Sequence, residues 1–172
     1  MGLDIYLEKG SKAKWNKHYD SRKRIDEIWD QIEHTDMDPT KRRLLQDEAE
    51  RLSSTVYENS ERLEEVGYFR KINSFLNWVH NRHPEVPWSR QMWTELSKED
   101  IEECIKVTDE VMHTSSMQRI KEIFPTTQGF FFGSDDYDDW YFHDVKRVND
   151  TLNVILENTD WENEVIVYTE SW

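Results

Sequence analysis

Arg70 and Lys71 are the side chains of this sequence best suited to hold a ligand. They follow Gly67, Tyr68 and Phe69, lead to Asn73, and open a stretch with helical spacing. An arginine offers a planar fork of donors that matches phosphate or carboxylate. A second stretch, Pro125 to Asp144, reads PTTQGFFFGSDDYDDWYFHD. It supplies the turn Thr126-Thr127-Gln128-Gly129 and the rings of Tyr137, Trp140 and Tyr141. Rings to stack on, a guanidinium and hydroxyl or amide donors are the ingredients of a nucleotide-type pocket. The candidate ligand-binding set is therefore Tyr68, Arg70, Lys71, Asn73, Thr127, Gln128, Tyr137, Trp140 and Tyr141. The same residues have a plainer reading, in which Arg70 pairs with a neighbouring aspartate and the rings belong to the core.

Other chemistry is thin. Asp135, Asp136, Asp138, Asp139 and Asp144 could hold a divalent cation through oxygen ligands. They lack the spacing of a calcium loop, and helix capping and dipole compensation account for most of them. His80 and His83, three apart, share one helix face without a third ligand nearby. Cys104 lies on an apolar stripe, as a core thiol does. No Walker loop, dinucleotide fingerprint, nucleophile elbow or zincin motif occurs. The expectation is no catalytic residue, no metal and no cofactor.

The 172 residues suit one domain, or one domain with an insertion. Charged residues reach 34%, which leans towards disorder, but 8 Trp, 7 Tyr and 7 Phe supply enough ring surface for an aromatic core. The charge is uneven: residues 91–172 carry 19 acids against 6 bases, and so hold −13 of the formal −14. Such a field repels nucleic acid and anionic membrane and attracts basic protein surfaces. A solvated acidic face is the plainer reading. One cysteine excludes an internal disulfide, and no apolar run approaches the length of a membrane span. The opening MGLDIYLEKG is acidic rather than a basic leader, so cytoplasmic residence is expected.

The elements that must position these residues follow from periodicity. Leu3 to Glu8 alternates as a half-buried strand, and Lys9 to Tyr19 reads as a basic connection. Ser21 to His34 and Pro39 to about Glu65 read as two helices, the second capped by Asp38 with Pro39 in its first position. Joined by a short loop, they predict a helical hairpin inserted at residues 20–66. A helix is expected up to His83, before Pro84. The stretch 84–93, with Trp88, reads as a loop. Ser97, with Asp100 three residues on, caps a helix running to about Phe124. Gly129-Phe130-Phe131-Phe132-Gly133 reads as a strand buried on both faces, followed by Ser134 and Asp135 as caps and a helix with Asp136, Asp138 and Asp139 in its first turn. Val165 to Tyr168 reads as a last strand. The 5 glycines, at 2, 10, 67, 129 and 133, bracket the first strand, the Tyr68–Asn73 segment and the triple-Phe run, which places these three together.

The opening MGLDIYL, the stretch VGYFRKIN with Trp78, the block Pro125 to Asp144 and the closing YTESW resemble a family of small bacteriophage and prophage proteins frequently mislabelled phosphoglycerate kinase. The match departs between Asp20 and Arg62, where the family has a shorter connection. The resemblance implies a phage or prophage source and residence in the bacterial host cytoplasm, and it carries no activity with it.

The expected fold is α+β: a small, mainly antiparallel sheet from residues 3–8, 129–133 and 164–169, covered by helices, with the hairpin inserted. Two functions are expected. One is a non-enzymatic counter-defence protein that sequesters a small nucleotide-type molecule in the aromatic and Arg pocket. The other is an acidic, nucleic-acid-mimicking inhibitor of a host defence nuclease, of anti-CRISPR or anti-restriction type.

Overall fold

The computed structural model describes residues 2–58, 63–84 and 92–172, without the side chains of residues 17, 18 and 55–58. Trp88, most of the loop read at 84–93, Arg62 and the side chain of Val56 in the hairpin stripe lie outside that description. In chain order the elements are β1 Asp4–Ser11, α1 Lys12–His34, α2 Pro39–Glu58, β2 Glu64–Arg70, α3 Asn73–Arg82, β3 Trp93–Leu96, α4 Lys98–His113, α5 Met117–Ile123, α6 Asp139–Asn158 and β4 Glu164–Ser171. They fall into two compact units: Met1–Lys9 with Glu64–Trp172, and Gly10–Leu63.

The first unit is an α+β domain built on a four-stranded sheet in the order β2-β1-β4-β3. The β1/β2 and β3/β4 pairs are antiparallel. In β1, Ile5 and Leu7 are buried while Asp4, Tyr6 and Glu8 keep partial exposure, the alternation a one-sided strand requires. In β4, Val165, Ile166, Val167 and Tyr168 are all buried, so this strand is covered on both faces. Phe69, Phe75 and Tyr168 form an aromatic cluster with ring centroids 5.5 and 5.9 Å from Phe75. α6 turns Tyr141, Val145, Val148, Leu152 and Ile155 into the core at helical spacing.

The structure departs from the sequence pattern at several elements. Gly129–Gly133 is a turn, not a strand: Phe132 N–H donates to Gly129 C=O at 3.0 Å. Its backbone goes to other partners instead of a ladder. Phe131 C=O accepts from Leu3 N–H at 3.0 Å, and the carbonyls of Phe132 and Ser134 accept from Asn73 Nδ2. Only Phe132 is buried, whereas Phe130 is 96% exposed. The missing strand is β2, where Glu64–Arg70 pairs with β1 and Phe69 sits opposite Ile5. Trp93–Leu96 adds β3 at the other edge. The 98–124 helix is two helices, because Ser116 caps a new start with its hydroxyl accepting from Arg119 N–H. The helix after the triple-Phe turn starts later than expected, since Asp138 rather than Ser134 or Asp135 is its cap.

The second unit is an α-helical pair. Ile28, Ile32 and Ala49 form its own small core, with Leu45 and Leu52 packed on it. Asp38 caps α2, accepting from Thr40 N–H at 2.8 Å, as the Asp-Pro signal predicts. α1 begins at Lys12, so the basic stretch up to Tyr19 is helical rather than a connection.

Candidate ligand-binding pocket

Three segments meet where the glycines predict. Lys71 N–H donates to Leu3 C=O at 2.9 Å, and Leu3 N–H reaches Phe131 C=O. Gly133 adopts φ +93°, and a Cβ there would lie 3.1 Å from Lys71 Cβ, so only glycine fits this approach without strain. Lys71 itself holds φ +61°. Asn73, buried, ties the corner together: its Nδ2 holds the Ser134 carbonyl at 2.7 Å and its Oδ1 accepts from Thr127 N–H at 3.3 Å.

Beside this knot lies a cavity of about 260 Å³. Lys71, Ile72, Asn73 and Ser74 form one side; Thr126, Gly133 and Ser134 another; Asp136, Asp138, Trp140, Tyr141 and Asp144 the third. Trp140 is 74% exposed at the rim. Asp138 spends one oxygen on the helix start, accepting from Trp140 and Tyr141 N–H at 3.0 and 3.1 Å. Asp136 accepts from the Ser134 hydroxyl at 3.1 Å. Burial pushes the Asp144 carboxyl up, although Arg147 at 3.5 Å and His143 at 3.6 Å oppose that shift. Tyr141 donates to Phe124 C=O at 2.8 Å, and burial together with the nearby Tyr137 drives its phenol far up, so it stays protonated. Among the described residues Lys71 makes no ion pair.

Of the nine candidate residues, Lys71, Asn73, Trp140 and Tyr141 line this cavity. The other five do not. Arg70 projects from the sheet edge towards Asp4, with Nη1 3.8 Å from Oδ1, and Tyr68 donates to the same oxygen at 2.5 Å. That hydrogen bond, with some burial, raises the Tyr68 phenol pKa. Among the described residues Arg70 makes no hydrogen bond or ion pair with the Thr126–Gly129 turn, and it does not line the cavity beside Trp140. The reason is that β2 runs through Arg70, and strand alternation turns its side chain to the same face as Tyr68. Thr127 donates its N–H to Asn73, Gln128 binds Asp135 at 2.6 Å, and the Tyr137 hydroxyl accepts from Thr126 N–H at 3.0 Å. These three brace the loop. The sequence reading omitted Asp136, Asp138 and Asp144 as pocket walls, although the acidic run was the visible signal.

Three carboxylates and one ammonium give the cavity a net negative lining. Beside an exposed indole, that lining suits a cationic group, which gains from both the carboxylates and the ring face. Among the described residues no group of three or more His, Cys, Asp or Glu could hold a metal ion. His80 instead contacts Glu170, and Cys104 is a buried thiol whose pKa burial pushes well up. No described helix is long and apolar enough to cross a membrane. Comparison with protein-family models, curated proteins and solved structures finds no match.

Proposed function

We propose that this chain is a non-enzymatic binding protein of phage counter-defence type, which docks through its acidic half on a basic surface of a partner protein. The pocket beside Trp140 receives a cationic side chain of that partner. The observation that carries this reading is the placement of Asp136, Asp138, Asp144 and the exposed Trp140 around one cavity. A tryptophan beside carboxylates can anchor an interface through stacking and charge together. The charge of −13 over residues 91–172 supplies long-range attraction to a basic groove. The resemblance to phage proteins supports a host defence nuclease as the owner of that groove.

One observation favours a second reading. Lys71 faces the cavity without an ion-pair partner among the described residues, so an anionic group could sit on it while a ring stacks on Trp140. That is the chemistry of a small nucleotide-type ligand, held without Arg70.

Nuclease inhibition and calorimetric titration with nucleotides separate the two. Docking predicts that Trp140→Ala and the Asp136→Asn/Asp144→Asn pair each weaken inhibition of a defence nuclease by about tenfold or more, that added salt weakens it, and that Lys71→Ala leaves it intact. Sequestration predicts heat on titration with a nucleotide, lost in Lys71→Ala. Wild type that neither inhibits a nuclease nor binds a nucleotide overturns both.

A further inference from the structure

We propose that the start of α3 is an anion subsite, and that the cavity beside Trp140 takes a small zwitterion, with a phosphate monoester on that subsite and an ammonium at the carboxylate wall. α3 begins uncapped: Ile72 stands at the cap position without a side-chain hydrogen bond, and the first turn holds no acid. Among the described residues nothing accepts from the N–H groups of Asn73, Ser74 or Phe75. Such a helix start offers free donors and partial positive charge, which suit a phosphate. Ser74 points to a ligand independently. It is 3% exposed and lines the cavity. Its hydroxyl makes no hydrogen bond with any described residue, and its oxygen is not sealed off by protein, so it opens onto the cavity. A buried hydroxyl calls for a hydrogen-bond partner, and a ligand oxygen in the cavity supplies one. Lys71 lies on the same wall, placed there by its left-handed φ of +61°. The three terminal oxygens of a phosphate monoester match this set of ammonium, hydroxyl and backbone donors better than the two of a carboxylate.

The rest of the lining selects what carries the phosphate. Asp136, Asp138 and Asp144 repel a free anion, and the exposed Trp140 ring favours a cation. A ligand with its own ammonium satisfies both walls. The cationic half rests on the reading of these carboxylates proposed above, whereas the anion subsite stands apart from it. Calorimetric titration of the full chain with phosphocholine, inorganic phosphate and choline tests both. Phosphocholine should bind at least about tenfold more tightly than either fragment, because only it fills both walls. Ser74→Ala and Lys71→Gln should each cut the advantage of phosphocholine over choline by about tenfold, since each removes a hydrogen bond to a charged group. Circular dichroism checks the fold, and either variant alone suffices for the comparison. Wild type that binds phosphocholine no more tightly than choline overturns the proposal, while choline binding in that case leaves the cationic reading standing. So do variants that keep the native spectrum and the full advantage. Inorganic phosphate that binds as tightly as phosphocholine overturns the zwitterion and faults the cationic reading instead.

Discussion

Lys71 and Gly133 lean on each other, both at left-handed backbone angles: φ is +61° at Lys71 and +93° at Gly133. The contact closes one wall of the pocket, and it exists because glycine has no Cβ to keep Lys71 away. Gly133→Ala should cost about 1–3 kcal/mol, from the strained φ and the 3.1 Å approach together. Urea unfolding measures it. A variant with an unchanged midpoint would show that the turn relaxes without loss.

Glu170 is a buried acid whose ionisation contributes to stability at low pH. It is buried among donors: His80 Nε2 at 2.9 Å, Met92 N–H at 2.9 Å and Tyr168 hydroxyl at 2.7 Å. Burial alone would push its carboxyl up, but these partners outweigh burial and hold it below the usual 4.5. A carboxyl with a depressed folded pKa binds fewer protons when folded than when unfolded. Its contribution is therefore complete above the unfolded value and fades as pH falls through the folded one. Glu170→Gln should cost about 1.5–3 kcal/mol at neutral pH. It should also remove that part of the acid sensitivity. Denaturant melts from neutral pH down through the carboxylate range should converge for the two proteins; parallel curves would place the acid sensitivity elsewhere.

Trp140→Ala should leave the fold intact, changing stability by no more than about 0.5 kcal/mol, because the indole is 74% exposed and outside the core. Its loss should weaken partner binding by about tenfold or more, as removal of an aromatic anchor does. Thermal melting paired with a binding titration reads both quantities. A large drop in melting temperature would show that the ring supports the core after all.

The helical pair should be dispensable for the sheet domain. Lys9 and Glu64 face each other across antiparallel strands, so a short turn can join them. The pair also has its own core of Ile28, Ile32 and Ala49. Replacing residues 12–62 by a Gly/Ser turn should leave cooperative urea unfolding. A truncated protein without near-ultraviolet circular dichroism would overturn this.

What the sequence alone determined is what local chemistry dictates. The Ser97 and Asp100 capping box, the Asp38-Pro39 start of α2, the alternation of β1 and the apolar stripe of α6 need only neighbours within a turn or two. The glycines at 2, 67 and 133 also marked the close approach of three distant segments, because only tight packing demands them.

Tertiary structure decided the rest. A run of apolar residues between glycines, at 129–133, has the local look of a doubly covered strand, yet that role went to β4. Asn73, Leu3 and a turn within the run claimed its backbone groups, and this depends on segments far away in sequence. Glu64–Arg70 carries too few apolar residues to announce a strand, but β1 lay beside it and needed a partner for its ladder. Arg70 and Lys71 are adjacent in sequence. Strand alternation and one left-handed residue sent the first to Asp4 and the second to the pocket, and only the folded backbone could choose between them.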